Sequence, residues 1–313
     1  MRARITPDLL QRSVISVPPL CRKNDLSLSE DANRAQLDHM RAGGVTTFLW
    51  GGNANLYNMG VREFESFLDM VERLTQPGDW MIPSIGADFG KALDQADILR
   101  ERDFPTAMVL PLRFPSTPKG VAQGLSLLAA RMGKPLIAYV KDDNYVDAAD
   151  LGALVRDGAV CAVKYGTVRK NPADDAALAD ILRHVDPLLV ISGIGERPVI
   201  DHARAFGLRA FTSGAVCIAP RLSTMILQAL STGDLARGAA IRETFLATED
   251  LRDAHSPLRV LHEAVRLAGI AETGPMQPML SNITDPDVLT AIQAAAIALR
   301  AENDRAQISR AAE

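Results

Sequence analysis

Cysteine is scarce in this sequence, and its few histidines form no metal-binding pattern. The 313 residues include Cys21, Cys161 and Cys217, which form no CxxC pair. An odd number of scattered thiols predicts neither a disulfide framework nor a zinc site, so we expect small core residues. The five histidines form no HExxH pattern. We therefore expect no metal and no cofactor, although a site made of carboxylates alone stays open.

The sequence also lacks an excess of one charge and any long apolar run. It has 34 Lys and Arg against 38 Asp and Glu, a net charge of -4. Without a basic excess, we expect no nucleic acid and no anionic membrane as partner. No apolar run reaches the roughly 18 residues of a membrane span, and MRARITPDLLQRS lacks the apolar centre of a signal peptide. We predict a cytoplasmic protein whose partners are small molecules and copies of itself.

Short apolar segments do alternate with longer amphipathic ones. The candidate strands are SVISV from Ser13, VTTFLW from Val45, WMIPSI from Trp80, TAMVLP from Thr106, PLIAYV from Pro135, AVCAVKYG from Ala159, PLLVISG from Pro187 and RAFTSG from Arg209. Continuous apolar strands are typical of a parallel sheet covered by helices. Eight βα units favour an α/β fold, a (β/α)8 TIM barrel, with an open doubly wound sheet as the alternative.

Helix boundaries are marked by capping residues and glycines. Amphipathic stretches are predicted at 29–41, 61–74, 90–102 and 119–131. Ser29 is an expected N-cap, and Asn171 followed by Pro172 predicts an N-cap and first turn before DDAALADILRHV. The glycines expected to end helices in the left-handed conformation are Gly43, Gly44, Gly133, Gly158 and Gly207.

Beyond Pro220 the strand pattern stops and every segment has helical periodicity. No linker or low-complexity tract separates this part from the rest. The sequence therefore predicts a barrel catalytic domain over residues 1–220. Residues 221–313 are predicted to supply the last barrel helix and a C-terminal helical extension.

Two side chains at predicted strand ends are candidates for catalysis, because TIM barrels carry their chemistry there. Lys164 ends the sixth strand after small apolar residues, where desolvation would lower its pKa and free the amine to form a Schiff base. Tyr139 ends the neighbouring strand and would relay protons. The alternatives are a lysine that reaches solvent and a strand tyrosine with a satisfied hydroxyl.

Three further segments are candidates for substrate binding. Gly52 and Asn53 lie in a turn that exposes backbone amides to a carboxylate, and the loop from Ser213 to Pro220 resembles an anion-binding turn of barrels. Ordinary tight turns between strand and helix are the alternative for both. Arg113 follows the fourth strand and would hold a carboxylate, although a surface ion pair is as common; Lys141 is equally ambiguous. The GIG at 193–195 lacks a dinucleotide fingerprint, so no nicotinamide or flavin is expected.

The layout resembles the dihydrodipicolinate synthase and N-acetylneuraminate lyase family of pyruvate-dependent class I aldolases. The resemblance spans nearly the whole chain and rests on AVCAVKYGT, PLIAYV, SGIGE, RAFTSGAVCIAP and the helical tail. It implies a barrel with a three-helix extension, assembled as a homotetramer or dimer. It also implies that Lys164 is the Schiff-base lysine and Tyr139 the catalytic tyrosine, with Gly193, Ser213 and Gly214 near the pyruvyl group.

The sequence departs from this family at three motif positions. Residues 51–55 read GGNAN where the family commonly has GTTGE or GSTGE, so two hydroxyls are missing. Arg113 stands in place of a second tyrosine, and Asn144 in place of the arginine that binds the aldehyde's carboxylate. Aspartate semialdehyde is therefore a poorly supported substrate.

These residues predict a lyase in which Lys164 condenses with pyruvate or another 2-oxo acid for addition to, or release from, an aldehyde. Gly52 and Asn53 would receive the carboxylate. One alternative is a 2-oxo-3-deoxy sugar acid dehydratase or aldolase, with Arg113 on the distal part of the substrate. Another is a non-catalytic, 2-oxo acid-binding regulatory barrel, because a fold does not guarantee a function.

Overall fold

The computed structural model describes residues 5–311, which form a closed barrel of eight parallel strands with alternating helices. The strands are β1 (Ile15–Ser16), β2 (Thr47–Trp50), β3 (Trp80–Gly86), β4 (Ala107–Leu110), β5 (Leu136–Val140), β6 (Val160–Tyr165), β7 (Val190–Ser192) and β8 (Ala210–Ser213). Each strand pairs with its neighbour in sequence, and β1 pairs with β8. The predicted TIM barrel is confirmed, and closure rules out the open sheet.

The helices agree closely with the amphipathic stretches of the sequence. They are α1 (Pro7–Gln11), α2 (Glu30–Ala42), α3 (Val61–Leu74), α4 (Phe89–Arg100), α5 (Pro118–Met132), α6 (Ala148–Arg156), α7 (Ala176–Leu182), α8 (Val199–Phe206), α9 (Pro220–Thr232), α10 (Leu235–Arg242), α11 (Leu246–Ala254), α12 (Pro257–Leu267) and α13 (Pro286–Ala311). No helix in this part of the chain is long and apolar enough to span a membrane.

Two predicted helix ends were wrong. Asp175, not Asn171, caps α7, and its carboxylate accepts hydrogen bonds from the backbone N–H groups of residues 177 and 178. Asn171 instead accepts a bond from the N–H of Ala173 in the preceding turn, a local alternative that asparagine side chains often take. After α2, Gly44 adopts the positive φ of +90°, whereas Gly43 has φ of -94°.

The strands are buried on both faces, which explains their continuous apolar sequences. Among their residues, Cys161 in β6 is half-buried and the others are buried. Cys21 and Cys217 are buried free thiols, and Cys161 is also free. All three contribute to the interior, as expected for small core residues.

The C-terminal helices fold back onto the barrel. Helix α13 contacts α9, α11 and α12. The segment between α12 and α13 is tied to the loop after β1, where the N–H of Arg22 donates to the carbonyl of Thr273 at 3.0 Å. It is also tied to the loop after β2, where Asn55 Nδ2 donates to the carbonyl of Gln277 at 3.2 Å. The extension is therefore fixed at the mouth of the barrel, next to the strand ends.

Candidate active site

Lys164 and Tyr139 lie side by side at the ends of β6 and β5. They are partners in the parallel register of these strands, and Lys164 Nζ lies 4.2 Å from the centre of the Tyr139 ring. Lys164 is 4% exposed and Tyr139 is 8% exposed. The structure thus brings together the two residues proposed for catalysis, and the lysine does not extend into solvent.

The environment of Lys164 favours its neutral amine. Among the described residues, it has no ion-pair or hydrogen-bond partner. Burial, followed by the charges of Lys141 and Arg252, lowers the pKa of Lys164 to about 7. Desolvation disfavours the ammonium form, and nearby positive charges disfavour it further. A large fraction of the side chain is therefore a nucleophilic amine at neutral pH.

Both groups border a cavity of about 200 Å³ at the barrel mouth. Its wall includes six residues proposed from the sequence, namely Gly52, Asn53, Tyr139, Lys164, Gly193 and Gly214. The N–H of Gly193 donates to the carbonyl of Tyr165 at 2.7 Å, which joins the ends of β6 and β7. The scattered sequence segments thus converge on one small space.

Ser213 and Arg113, both proposed from the sequence, are not among the residues that line this cavity. Ser213 is 1% exposed, and its Oγ accepts a hydrogen bond from the N–H of Val216 at 2.9 Å. Arg113 is 70% exposed and forms a bidentate pair with Asp142, with Nε 2.8 Å from Oδ2. Its guanidinium is used in a surface ion pair.

Arg252 in α11 is a cavity residue that the sequence did not reveal. It is 8% exposed, lines the cavity, and its Nη1 donates to Glu249 Oε1 at 2.7 Å. In the sequence, this Glu–Arg pair three residues apart looks like an ordinary surface pair on a helix. The docking of the extension turns it inward.

Tyr57, Lys141 and Thr212 also line the cavity without having been proposed as its main residues. Burial raises the pKa of Tyr57, so its hydroxyl keeps its proton. Tyr57 follows the GGNAN segment at residues 51–55, and its residue type was the one signal in the sequence that could have identified it. Lys141 makes no ion pair or hydrogen bond with any described residue, and burial lowers its pKa.

A buried carboxyl group lies behind the cavity wall. Glu196 is fully buried, and Ser223 Oγ donates to its Oε1 at 2.6 Å. Burial and the neighbouring charge of Glu249 raise the pKa of Glu196 to about 7. Two carboxylates close together resist simultaneous ionisation, so Glu196 holds a proton far more readily than an exposed glutamate.

Sequence comparisons found no matching family model and no similar curated protein. Solved structures are similar in fold. A dihydrodipicolinate synthase from Bacillus clausii has a TM-score of 0.81 and 19% identity, covering 92% of this chain and 97% of that one. A 4-hydroxy-tetrahydrodipicolinate synthase from Methylacidiphilum fumariolicum has a TM-score of 0.81 and 11% identity, covering 94% and 98%.

A third similar structure is a catalytic lysine mutant of the Ruminococcus gnavus sialic acid aldolase. Its TM-score is 0.81 at 13% identity, covering 97% of this chain and 99% of that one. The predicted resemblance is thus confirmed for the fold over nearly the whole chain. At these identities the likeness shows the fold alone, so the activity has to be argued from the site.

Proposed function

We propose that this chain is a cofactor-free lyase that forms a Schiff base between Lys164 and pyruvate or another 2-oxo acid. The observation that carries the proposal is the buried Lys164 amine, which has a pKa of about 7 and lies on the wall of a cavity at the strand ends. A neutral amine in a desolvated site attacks a ketone carbon readily. The structural likeness to an aldolase described as having a catalytic lysine supports this choice.

The proposed reaction begins when Lys164 Nζ adds to C2 of the 2-oxo acid, giving a carbinolamine. Loss of water leaves a protonated imine, and loss of a proton from C3 then gives an enamine. The enamine carbon bonds to the carbonyl carbon of an aldehyde, and water releases the product and the free amine. In cleavage these steps run in reverse.

Tyr139 is the proposed proton carrier in these steps. Burial raises the pKa of Tyr139 to about 12, so its hydroxyl is protonated at neutral pH. Because its ring packs beside Lys164 Nζ, the residue is placed to protonate the carbinolamine oxygen as water leaves. The hydroxyls missing from the loop after β2 are then not required for that proton transfer.

The carboxylate of the 2-oxo acid is proposed to lie against Gly52 and Asn53, which border the cavity. Arg113 is less well placed to contact a distal part of the substrate, because it pairs with Asp142 at the surface and does not line the cavity. Lys141, at the end of β5, is the better candidate for such a contact.

The domain boundary at residue 220, the cytoplasmic location and the assembly as a dimer or tetramer stay predictions from the sequence.

Borohydride trapping tests the proposed function. Incubation with pyruvate and borohydride should add the mass of a reduced pyruvyl group to Lys164, measured by peptide mass spectrometry. Lys164→Ala should give no adduct, whereas Lys141→Met should still give one, because its lysine is a neighbour and not the nucleophile. An adduct on another lysine, or none in the native protein, would contradict the proposal.

The rate of trapping is expected to rise with pH through about 7 and then level off, because the neutral amine is the nucleophile. Lys141 lowers the pKa of Lys164 through its positive charge. Lys141→Met should therefore move the midpoint of the pH profile upward. Initial rates of adduct formation across a pH series measure this, and an unmoved or lowered midpoint would show that Lys141 does not tune the amine.

A further inference from the structure

Arg252 has one terminal nitrogen left over after its protein contacts are made. Its Nη1 donates to Glu249 at 2.7 Å, and its Nε lies 3.4 Å from the carbonyl of Pro257. Its Nη2 has no hydrogen-bond partner among the described residues. A guanidinium offers donors in a planar fork that fits a carboxylate, so half of this fork is available to a ligand.

Arg252 Nη2 and the side-chain amide of Asn53 both lie close to Gly214, which has no side chain of its own. A Cβ on Gly214 would lie 2.9 Å from Asn53 Nδ2 and 3.2 Å from Arg252 Nη2. All three residues line the cavity that contains Lys164. Asn53 is itself held in place, because its Nδ2 donates to the carbonyl of Val17 at 2.8 Å. The side chains of Asn53 and Arg252, which are far apart in the sequence, thus lie in the same cavity as the proposed nucleophile.

The charges around the cavity favour an anion. Among the described residues of its wall, four are basic and two are acidic. Glu249 pairs with Arg252, and Asp253 pairs with Arg197, which leaves Lys141 as the cation without a carboxylate partner beside the largely neutral amine of Lys164. A positive surplus in a buried site attracts a carboxylate more strongly than the same surplus in water.

The positive charge of Arg252 is fixed by its surroundings. Glu249 raises the pKa of Arg252 by its charge and hydrogen bond, against the opposing effect of burial, and Glu196 adds a smaller contribution. Glu249 is 3% exposed, so the pair is held away from water. The arginine therefore remains a cation while its other nitrogen faces the ligand space.

We propose that Arg252 of the C-terminal extension is a specificity-determining residue that binds the carboxylate next to the reacting ketone. This rests on the proposed function, because it assigns a second contact to the 2-oxo acid held by Lys164. Arg252 would give the carboxylate a cationic partner. Residues 51–55, in the loop after β2, offer no hydroxyl group for this purpose. The proposed contact also makes the extension part of the active site, since the barrel strands and their loops do not supply this arginine.

The test compares two ketones of similar size across two matched variants. Pyruvate carries the carboxylate, and hydroxyacetone carries a hydroxymethyl group in its place. Arg252→Gln removes the proposed contact. Arg266→Gln is the control, because Arg266 in α12 also pairs with a buried glutamate three residues earlier, at 2.8 Å, but does not line the cavity.

In Arg252→Gln, the pyruvate concentration that gives half-maximal borohydride trapping should rise roughly 10- to 100-fold, as expected for a lost charge-assisted hydrogen bond. The value for hydroxyacetone should change less than about twofold, and Arg266→Gln should change neither. Arg252→Lys, which keeps the charge that Glu249 requires, replaces the glutamine variant if that variant does not fold. It should give a smaller, pyruvate-specific loss.

Equal weakening of both ketones, or no change for pyruvate, would overturn the inference and leave the Schiff base intact. Calorimetric binding of lactate separates the two proposals, because lactate has the carboxylate but cannot form an imine. Lactate binding that is lost in Arg252→Gln and kept in Arg266→Gln supports the carboxylate site even if no adduct forms. Lactate binding that is absent or independent of Arg252 counts against it.

Discussion

Lys164→Met is expected to raise the free energy of unfolding by on the order of 5 kcal/mol below pH 7, while abolishing covalent trapping. The pKa of Lys164 is about 7 in the folded protein, against a usual value of 10.5. The unfolded chain therefore binds this proton more tightly than the folded one. The resulting destabilisation is complete below about pH 7 and disappears as the pH rises towards 10.5.

Urea unfolding at several pH values measures this effect. The gain in stability of Lys164→Met over the native protein should be greatest at low pH and shrink steadily above pH 7. Lys170→Met is a suitable control, because Lys170 is exposed and its removal should change stability little at any pH. A methionine variant that is less stable than the native protein throughout would show that the buried amine has stabilising contacts.

Gly193→Ala is expected to cost about 3 kcal/mol or more of stability and to slow trapping at Lys164 severely. A Cβ at this position would lie 2.5 Å from the carbonyl oxygen of Tyr165 and 3.0 Å from Lys164 Cγ. The first contact involves backbone, which cannot rotate away. The added methyl group therefore has to push β7 from β6 or displace the lysine.

Thermal unfolding and the initial rate of trapping measure the two consequences. Gly60→Ala is the matched control, because nothing lies within 4 Å of a Cβ there and its φ is -72°. It should leave the trapping rate unchanged and cost little stability. If Gly193→Ala were as stable and as reactive as Gly60→Ala, the ends of β6 and β7 would be more pliable than their close contact indicates.

The pairing of Lys164 with Tyr139 was predictable, because parallel strands that follow each other in sequence end at the same edge. The side-chain direction at the end of β8 was not. Thr212 lines the cavity while Ser213 bonds the backbone behind it. Successive strand residues point to opposite faces, so a shift of one position exchanges the two roles. The sequence alone does not determine whether Thr212 or Ser213 faces the cavity.

Arg113 and Arg252 show the same limit for charged residues. The position of Arg113 after a strand suggested the barrel mouth, but its direction depends on Asp142, a partner 29 residues away. The position of Arg252 in a helical tail suggested the surface. Only the contacts that hold the extension, such as Arg22 with Thr273, bring its helix over the cavity.

Local patterns in the sequence determined the eight βα units, the helical tail and the lysine and tyrosine at adjacent strand ends. These follow from hydrophobic periodicity, helix-capping chemistry and the small number of ways to close such a chain. Tertiary structure alone decided which side chains meet around Lys164. The pKa of Lys164 is low because the side chain is buried, and Arg252 lies near it because distant segments are in contact. Neither burial nor such contacts can be read from one local stretch of sequence.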